Sequence, residues 1–508
     1  MTQVLVVGGG MAGMTAAAAL AGARVKVTVL EREPQLGGRW GVVDQTSFVH
    51  GDQRWTFPVE RGIHGFWRQY RNLRSLLERH DLGRHIVSSG RQELCVWLDG
   101  DQPRFMDVGD SVRDSPLPEP FAFAGLLTDP EFRRQALRAN PLKMLGVARD
   151  MSHVFAFDPA RDMAEYDRMN VEQLVRDWPP FMRAFFEALV HMAFWVEARD
   201  CGLGAFLTSL QHYTVCDKRD IGFDYLGDDT QTCVFGPLAQ VVEAAGGQVR
   251  CDTEVDELLF EEGRVVGVRI GEERLRTAAV VLAVDPGSLK RLYAGELAQA
   301  LPPPPQALPH NTLRLWFSGR PEIARASNGM VVAPDIDNYF WLSSIQRPFE
   351  QWSRATGGSV IECHQYGANA QRALHMSDDQ VIESCTRTVE AIWPGVAGSR
   401  VHSHLLRGRI GHPWLSPGAW RKLPDVKTSI PNLSLAGDWV QPSWTSFFLE
   451  RATRSGLQAA HELASVLGVP RSALPAVLDP HPPSPGFRRY QAIAQQMRSL
   501  GLLPNLDR

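Results

Sequence analysis

The sequence lacks the features that mark several large protein classes. Its 53 lysines and arginines nearly balance 57 aspartates and glutamates, which leaves a net charge of −4. That balance provides no basic face, so no nucleic-acid partner is expected. The apolar, glycine and proline contents are ordinary for globular proteins and exclude collagen-like, disordered and coiled-coil chains. With 508 residues, the chain has room for about two to four domains.

Cysteine is scarce and scattered, with no CxxC pair. The seven cysteines lie at positions 95, 201, 216, 233, 251, 363 and 385. This spacing fits neither a zinc ribbon nor a disulfide framework, and free thiols in a reducing cytoplasm are the simplest account. His402 and His404 stand two apart without an accompanying carboxylate or cysteine. No metal site is therefore predicted.

Long apolar runs are rare. Residues 4 to 23 carry no charge, but no positive charge precedes them and five glycines interrupt them. No other stretch approaches the 18 or so apolar residues that a membrane span needs. We therefore expect the protein to be soluble and cytoplasmic, or at most peripheral to a membrane.

The glycines of the N-terminal run follow a short apolar strand. Residues 4 to 7 predict a strand buried on both faces, and an alanine-rich helical stretch follows the glycines. In the spacing G-x-G-x-x-G, Gly8 permits a tight turn and Gly10 lets a pyrophosphate approach the backbone. Gly13 lets the helix pack close to the strand. This arrangement predicts the first half of a Rossmann-type nucleotide site.

The helix that begins at Met11 and Ala12 offers free N–H groups and a positive dipole to phosphates. A second apolar run, residues 25 to 30, ends at Glu31. A carboxylate at this position accepts hydrogen bonds from both ribose hydroxyls of an adenosine and repels a 2′-phosphate. The order of elements therefore predicts a dinucleotide site.

Glu31 and Arg32 lead into a second glycine pair, and Gly38 is followed by Arg39. This loop supplies a further backbone approach to the pyrophosphate and a cation to neutralise it. The whole segment resembles the N-terminal fingerprint of the flavin-containing amine oxidase and phytoene desaturase superfamily. The resemblance implies that the cofactor is FAD and that Val255 contacts its adenine.

A second pattern that resembles this superfamily lies near the C-terminus. A short apolar strand ends at Gly437 and Asp438, and a helix with small residues at helical spacing follows, with Thr445 or Ser446 as its expected N-cap. In the superfamily an equivalent Gly-Asp binds the ribityl–pyrophosphate portion, and the helix N-terminus faces the flavin. The resemblance therefore implies that four residues contact the cofactor: Gly437, Asp438, Ser446 and Phe447. One FAD would lie extended between both ends of the chain.

The expected fold class is α/β, with the two-domain architecture of amine oxidases and Rab-GDI-type proteins. A discontinuous Rossmann-type FAD-binding domain and a substrate domain of mixed sheet plus helices are predicted. The FAD-binding domain is assigned residues 1–45, 236–290 and 431–468, and the substrate domain residues 46–235 and 291–430. The tail, residues 469–508, is basic and amphipathic, and is expected to dock on its own protein or to contact a membrane.

Three further segments resemble one branch of the superfamily. Residues 62–73 are similar to the HGF-FRQYYNL stretch of carotene desaturase/methyltransferases, residues 357–366 to TGGSV-ELHAY, and residues 449–453 to MERAAT. These flavoenzymes convert a β-ionone ring into an aromatic ring. The resemblance implies a large apolar polyene as substrate. Trp67, Arg71 and Gln365 depart from the pattern.

A desaturase removes hydride from an allylic C–H and then loses a proton, with oxygen or a quinone as final electron acceptor. Loss of hydride leaves a cation delocalised over the polyene, and aromatic faces stabilise such a cation. Trp444, Phe447 and Phe448 stand in the loop expected to face the flavin. His64, beside a glycine expected near the flavin ring, is the candidate general base, although a histidine with a structural hydrogen bond is an alternative.

Three other functions stay open. An amine or amino-acid oxidase on the same fold typically holds a lysine near the flavin, whereas the strand 312–317 offers Arg314. A non-redox isomerase that uses FAD is a variant of the desaturase hypothesis. A lipid escort of the Rab-GDI type would leave the flavin site unused.

Overall fold

The computed structural model describes residues 3–88, 90, 92–97, 102–321, 327–408, 411–441, 446–503 and 506. Two sheets organise these residues: a parallel sheet that contains both glycine motifs, and a larger mixed sheet. Helices cover both. The predicted α/β fold class is confirmed.

The parallel sheet, called the nucleotide sheet below, has five strands, and all of them except the edge strand at 248–250 are almost entirely buried. All neighbouring pairs run parallel. In spatial order the strands are Gln248–Arg250, Lys26–Leu30, Gln3–Val7, Ala279–Leu282 and Leu433–Leu435. Strands from the beginning, middle and end of the chain thus share one sheet, within the ranges predicted for the FAD-binding domain.

Two helices pack closely against each other on this sheet, Met11–Gly22 and Phe448–Leu467. A Cβ on Gly456 would lie 2.3 Å from the Ala12 carbonyl oxygen, so only glycine allows this approach. A Cβ on Gly13 would lie 1.9 Å from the Gly8 carbonyl oxygen. The close packing predicted from the small residues of both helices is present. A third helix, Gly236–Ala244, packs on the first.

A loop follows the edge strand of the nucleotide sheet. That strand ends at Arg250, and Val255 lies in the loop beyond the carboxyl edge of the sheet. A separate antiparallel sheet follows, with strands Glu257–Glu261, Arg264–Ile270 and Glu273–Arg276. Ligands of open parallel sheets bind beyond this edge, so Val255 lies where a nucleotide would be expected.

The larger sheet, called the platform sheet below, has seven strands. They run antiparallel except for the pair Gln92–Val96 and Asn328–Val332. Its spatial order is Arg400–Arg407, Asn311–Phe317, Ser359–Gln365, Asn338–Trp341, Asn328–Val332, Gln92–Val96 and Arg104–Asp107. The register sets Arg314 opposite Glu362 and Asn338 opposite His364. The three strands that carry these residues are completely buried.

Smaller sheets flank the platform. A hairpin and two short sheets comprise Val42–His50 with Gln53–Glu60, Ala307–Leu308 with His412–Pro413, and Phe66–Trp67, Phe223–Leu226 and Ile86–Ser88. The remaining α-helices are Arg71–Arg79, Asp110–Arg113, Pro130–Arg138, Pro141–Ala156, Pro159–Tyr166, Val171–Val175, Pro180–Phe194, Leu203–Leu210, Pro286–Leu292, Gly295–Ala300, Arg347–Thr356, Gly367–Ala373, Asp378–Ile392 and Pro485–Ser499.

The C-terminal tail docks on its own protein. Asn72 exchanges hydrogen bonds of 2.8 and 2.9 Å with the backbone of Leu478, and the helix Pro485–Ser499 packs on Pro141–Ala156. The outer side of the tail helix exposes Ile493 and Met497. Among the described residues, no helix has the length and apolarity to cross a bilayer.

Candidate active site

A deep cleft runs from the carboxyl edge of the nucleotide sheet to the platform sheet. Glu31 and Val255 line one end, and Trp195 and Tyr366 line the other. The space between contains about 1860 Å³ that protein atoms do not fill, including the part open to solvent. The cleft therefore passes both glycine motifs before it reaches an aromatic interior.

The glycine loops form a cradle at the nucleotide end. Gly8, Gly10, Met11, Ala12 and Gly38 all line the cleft. Gly8 has φ +104°, and a Cβ there would lie 2.4 Å from a neighbouring carbonyl oxygen, so protein packing requires glycine. At Gly10 the nearest protein atom would be 3.8 Å from a Cβ, and φ is −76°. Protein packing does not require glycine there, whereas a ligand held against the backbone would.

Glu31 is held by the loop that it supports. Its carboxylate accepts hydrogen bonds from Gly9 N at 2.6 Å and from Glu33 N at 2.9 Å. Burial raises the pKa of Glu31, and these backbone hydrogen bonds oppose the shift. Arg32 lies beside it at the cleft wall, 2.9 Å from Glu33 and 3.8 Å from Glu254. A carboxylate aligned at the strand end in this way can accept hydrogen bonds from a ribose.

An ion pair joins the two ends of the chain at the middle of the cleft. Arg39 pairs with Asp438, and its second nitrogen lies 3.5 Å from His412 Nδ1. Burial would raise the pKa of Asp438, but Arg39 and His412 hold it below its usual value. Gly437 lies beside this pair, and its N–H donates to Ser455 Oγ at 2.9 Å. The two half-sites predicted about 400 residues apart in sequence thus meet in space.

The last long helix begins later than expected. Its N-cap is Phe447, without a side-chain cap, so the prediction of Thr445 or Ser446 as N-cap is corrected; Thr445 and Trp444 lie outside the described residues. Ser446 and Phe447 are buried beside the cleft wall, where the Ser446 carbonyl accepts from Arg451 at 2.7 Å. Phe448 lines the cleft.

Arg451 explains why Phe447 points away from the cleft. Its guanidinium carbon lies 4.4 Å from the Phe447 ring and 4.7 Å from the Trp420 ring. Burial lowers the pKa of Arg451 to about 10, against the attraction of Asp438. Two aromatic faces and two backbone carbonyls hold this buried cation. Phe447 therefore contacts the structural cation, and the predicted flavin contact of its ring remains a proposal.

Glu450 binds the N-terminus of a neighbouring helix. It does not serve the first turn of its own helix but accepts hydrogen bonds from Asn72 N at 3.0 Å, Asn72 Nδ2 at 2.6 Å and Leu73 N at 3.1 Å. These N–H groups belong to the first turn of the helix Arg71–Arg79. Burial raises the pKa of Glu450 to about 7, and the three hydrogen bonds oppose that shift. Glu450 thus caps a neighbouring helix.

His64 lines the cleft and has one well-defined partner. Its Nδ1 lies 2.8 Å from the Gly62 carbonyl oxygen, which can only accept, so Nδ1 carries the hydrogen. Burial lowers the pKa of His64 to about 4. The ring is therefore neutral near pH 7, with a lone pair on Nε2. This geometry is compatible with a base and equally with the structural histidine considered above.

The far end of the cleft contains residues that the sequence did not single out. Trp195 stacks on Tyr366 with ring centroids 4.8 Å apart, and lies 4.5 Å from His310 and 4.9 Å from His412. Burial lowers the pKa of each of these two histidines to about 3. Within the described residues, His310 Nδ1 and His412 Nε2 have no hydrogen-bond partner. Both histidines line the cleft.

Two aromatic residues of the cleft have strained backbones. Trp195 has φ +60° and Phe448 has φ +55°, values that bulky side chains rarely adopt. The Phe448 ring lies 6.2 Å from Trp67 and 6.0 Å from His412. Such outliers persist where the surrounding packing enforces them, typically at ligand sites.

The family model for flavin containing amine oxidoreductases matches residues 11–464, which begin within the first glycine motif and include Gly437, Asp438 and the whole platform sheet. The chain belongs to this family. The flavoenzyme is accordingly an FAD-dependent oxidoreductase. The superfamily and the cofactor expected from the motifs are confirmed.

Curated relatives of this flavoenzyme include carotenoid enzymes. It is 28% identical to the carotenoid phi-ring synthase of Streptomyces griseus, over 94% of its own chain and 92% of that protein. It is 22% identical to the zeta-carotene desaturase of Arabidopsis thaliana, over 90% and 84% of the two chains. Among solved structures, cyclohexylamine oxidase from Brevibacterium oxydans has a TM-score of 0.64 at 15% identity, over 92% and 99% of the chains. That likeness shows the fold.

The described residues fit FAD. Gly10 leaves room at a helix N-terminus, Glu31 marks the ribose position, and Arg39 supplies a cation between them and the aromatic interior. When bound, FAD supplies a hydride acceptor. The flavoenzyme itself supplies position, charge and exclusion of water.

Proposed function

We propose that this flavoenzyme oxidises a large apolar polyene of the carotenoid class by removing hydride from an allylic C–H. One observation carries the proposal. The substrate end of the cleft is lined by aromatic side chains, and no carboxylate or lysine stands among its described lining residues. Those aromatic residues are Trp67, Tyr70, Trp195, Phe223, Phe340, Tyr366 and Phe448.

The same observation disfavours an amine substrate. An ammonium group buried in this interior would have no anionic partner among the described lining residues, and burying an unpaired charge costs several kcal/mol. The carboxylates of the cleft, Glu31, Glu254, Asp285 and Asp438, lie at the nucleotide end or pair with Arg39. A polyene, in contrast, gains from each apolar contact.

The chain contributes to the reaction by holding one C–H in place and by excluding water. As hydride leaves, positive charge spreads over the polyene. Aromatic faces such as those of Trp195 and Phe448 stabilise that charge by about 1–2 kcal/mol each when desolvated. We propose oxygen or a quinone as the final electron acceptor.

We also propose that the protein meets its substrate at a membrane surface. Leu137, Leu142 and Leu145 flank one helix–helix turn and are 80%, 77% and 68% exposed. Arg138 and Lys143 are exposed beside them. Apolar side chains ringed by cations suit the interface of an anionic bilayer, where carotenoids dissolve.

Anaerobic flavin bleaching tests the substrate class. The purified holoenzyme is mixed without oxygen with a polyene in detergent, and separately with simple amines and aromatic amino acids. Bleaching by the polyene alone is expected. Bleaching by amines alone would contradict the proposal and favour an amine oxidase.

A further inference from the structure

Three polar side chains of the platform sheet are bonded in series. Glu362 and His364 alternate along the strand Ser359–Gln365, and Tyr366 continues the alternation in extended backbone just beyond its last residue, so the three side chains lie on one side. Glu362 Oε1 lies 2.8 Å from His364 Nε2, and His364 Nδ1 lies 2.6 Å from Tyr366 Oη. The series runs from the sheet interior to the cleft, because His364 and Tyr366 line the cleft.

The hydrogen positions in this series follow from its fixed end. Arg314 Nε lies 2.6 Å from Glu362 Oε2, and Ile63 N donates to Glu362 Oε1 at 2.6 Å. Burial opposes ionisation of Glu362, but Arg314 and His364 lower its pKa to about 2. An ionised carboxylate only accepts, so His364 carries a hydrogen on Nε2. Whenever Nδ1 carries no hydrogen, it accepts a hydrogen bond from the Tyr366 hydroxyl 2.6 Å away.

The hydroxyl of Tyr366 stands where the substrate would lie. Its ring stacks on Trp195 at the aromatic end of the cleft, with 12° between the two planes. Burial raises the pKa of this hydroxyl, and Asn338, also in the cleft wall, opposes the shift. The stacking fixes the ring and so the position of Tyr366 Oη. His364 Nδ1, at 2.6 Å, can accept the proton of this hydroxyl.

We propose that Tyr366 accepts the proton that the oxidised substrate loses, with His364 receiving the proton of Tyr366 and Glu362 as positioning residue. The inference rests on the proposed function. After hydride has passed to FAD, a C–H bond of the cationic polyene breaks, and its electron pair forms the new C=C bond. The proton moves to Tyr366 Oη as the hydroxyl proton moves to His364 Nδ1.

This route places the positive charge on His364, next to a buried carboxylate. The imidazolium of His364 would lie beside the Glu362 carboxylate, as in other acid–base triads where a buried carboxylate holds the histidine tautomer. In the described part of the chain, no carboxylate hydrogen-bonds to His64, the base predicted from the sequence. A proton on His64 would therefore be less well compensated.

The first test compares three variants with β-carotene in detergent, in anaerobic single turnovers of the holoenzyme. Tyr366→Phe keeps the ring and its stacking, and is expected to form product about 100-fold more slowly while binding β-carotene within about threefold of wild type. It should also lose the solvent deuterium isotope effect. Tyr225→Phe is the matched control, because Tyr225 is fully buried and its hydroxyl has no partner among the described residues. The inference is overturned if Tyr366→Phe matches this control, or if His64→Gln alone removes the isotope effect.

The second test needs no substrate. In ¹⁵N-histidine NMR spectra of the wild-type holoenzyme, assigned with His364→Gln, His364 should carry its hydrogen on Nε2 and none on Nδ1. A protonated Nδ1 would overturn the relay whatever the substrate is. Failure of β-carotene and every other polyene to bleach the wild-type flavin would instead overturn the proposed function.

Discussion

Replacing Gly10 with alanine separates cofactor binding from protein packing. The new Cβ would lie 3.8 Å from the nearest protein atom, an ordinary van der Waals distance. The backbone of Gly10, φ −76° and ψ −176°, suits any residue. The methyl group therefore enters only the space that a bound pyrophosphate would need.

The effect on the empty protein should be small. Alanine restricts the unfolded chain more than glycine does, which stabilises the folded protein by about 0.4–1 kcal/mol. Losing a glycine N-cap costs a similar amount, so the free energy of unfolding should stay within about 1 kcal/mol of wild type. Cofactor binding should change far more. Displacing the phosphates from two N–H donors costs about 3 kcal/mol, or about 100-fold in Kd.

The assay is titration of the apoprotein with FAD, followed by flavin fluorescence, together with thermal unfolding of the apoprotein. Gly22→Ala is the matched control, since Gly22 ends the same helix, is exposed, and has nothing within 4 Å of a Cβ. If Gly10→Ala binds FAD as tightly as Gly22→Ala, the pyrophosphate does not lie against Gly10. The assignment of the cradle would then be refuted.

Three other outcomes are expected. Glu31→Ala should lower the flavin content of the purified protein at least tenfold, measured as the ratio of flavin to protein absorbance, because a charged acceptor contributes about 1.5–3 kcal/mol; full flavin content would contradict the ribose contact. Despite burial, Asp337 and Glu197 raise the pKa of His191 to about 10. The interaction of protonated His191 with these two carboxylates stabilises the fold by up to about 5 kcal/mol. This contribution is complete below pH 6.5 and is lost as the pH rises through 10. His191→Gln should therefore lower the urea midpoint more at pH 6 than at pH 10.5, whereas the exposed His375→Gln should change neither. The double variant Leu142→Asn, Leu145→Asn should reduce sedimentation with anionic vesicles at least tenfold, since burying each leucine side chain contributes about 1.5–3 kcal/mol to binding. Unchanged sedimentation would show that this surface does not bind the membrane.

The nucleotide end was predictable because local chemistry dictates it. A strand, a glycine turn and a helix N-terminus leave few alternatives, and Gly8, Gly13 and Glu31 lie as their motif predicts. The meeting of Arg39 with Asp438 also followed, since the two motifs make sense only around one ligand. The domain boundaries themselves stay a prediction.

The aromatic interior was not predictable to the same degree. Which ring of Phe447 and Phe448 enters the cleft depends on a left-handed backbone at Phe448 and on Arg451 behind it. His310 lies between the strands Ala307–Leu308 and Asn311–Phe317, whereas His412 comes from the strand His412–Pro413, far away in sequence. Glu362, His364 and Tyr366 lie within residues 357–366, which resemble TGGSV-ELHAY, but their hydrogen bonds depend on the folded structure.

The strand order of the nucleotide sheet also bears on synthesis. The central strand Gln3–Val7 is synthesised before the other four strands, yet its sheet is completed only by Leu433–Leu435. At about 5–20 residues per second, the interval is roughly 20–90 s. During that time the nascent chain holds apolar strand edges without their neighbours. We therefore expect FAD to bind late in synthesis, and a chain truncated before Asp438 should be purified without bound flavin.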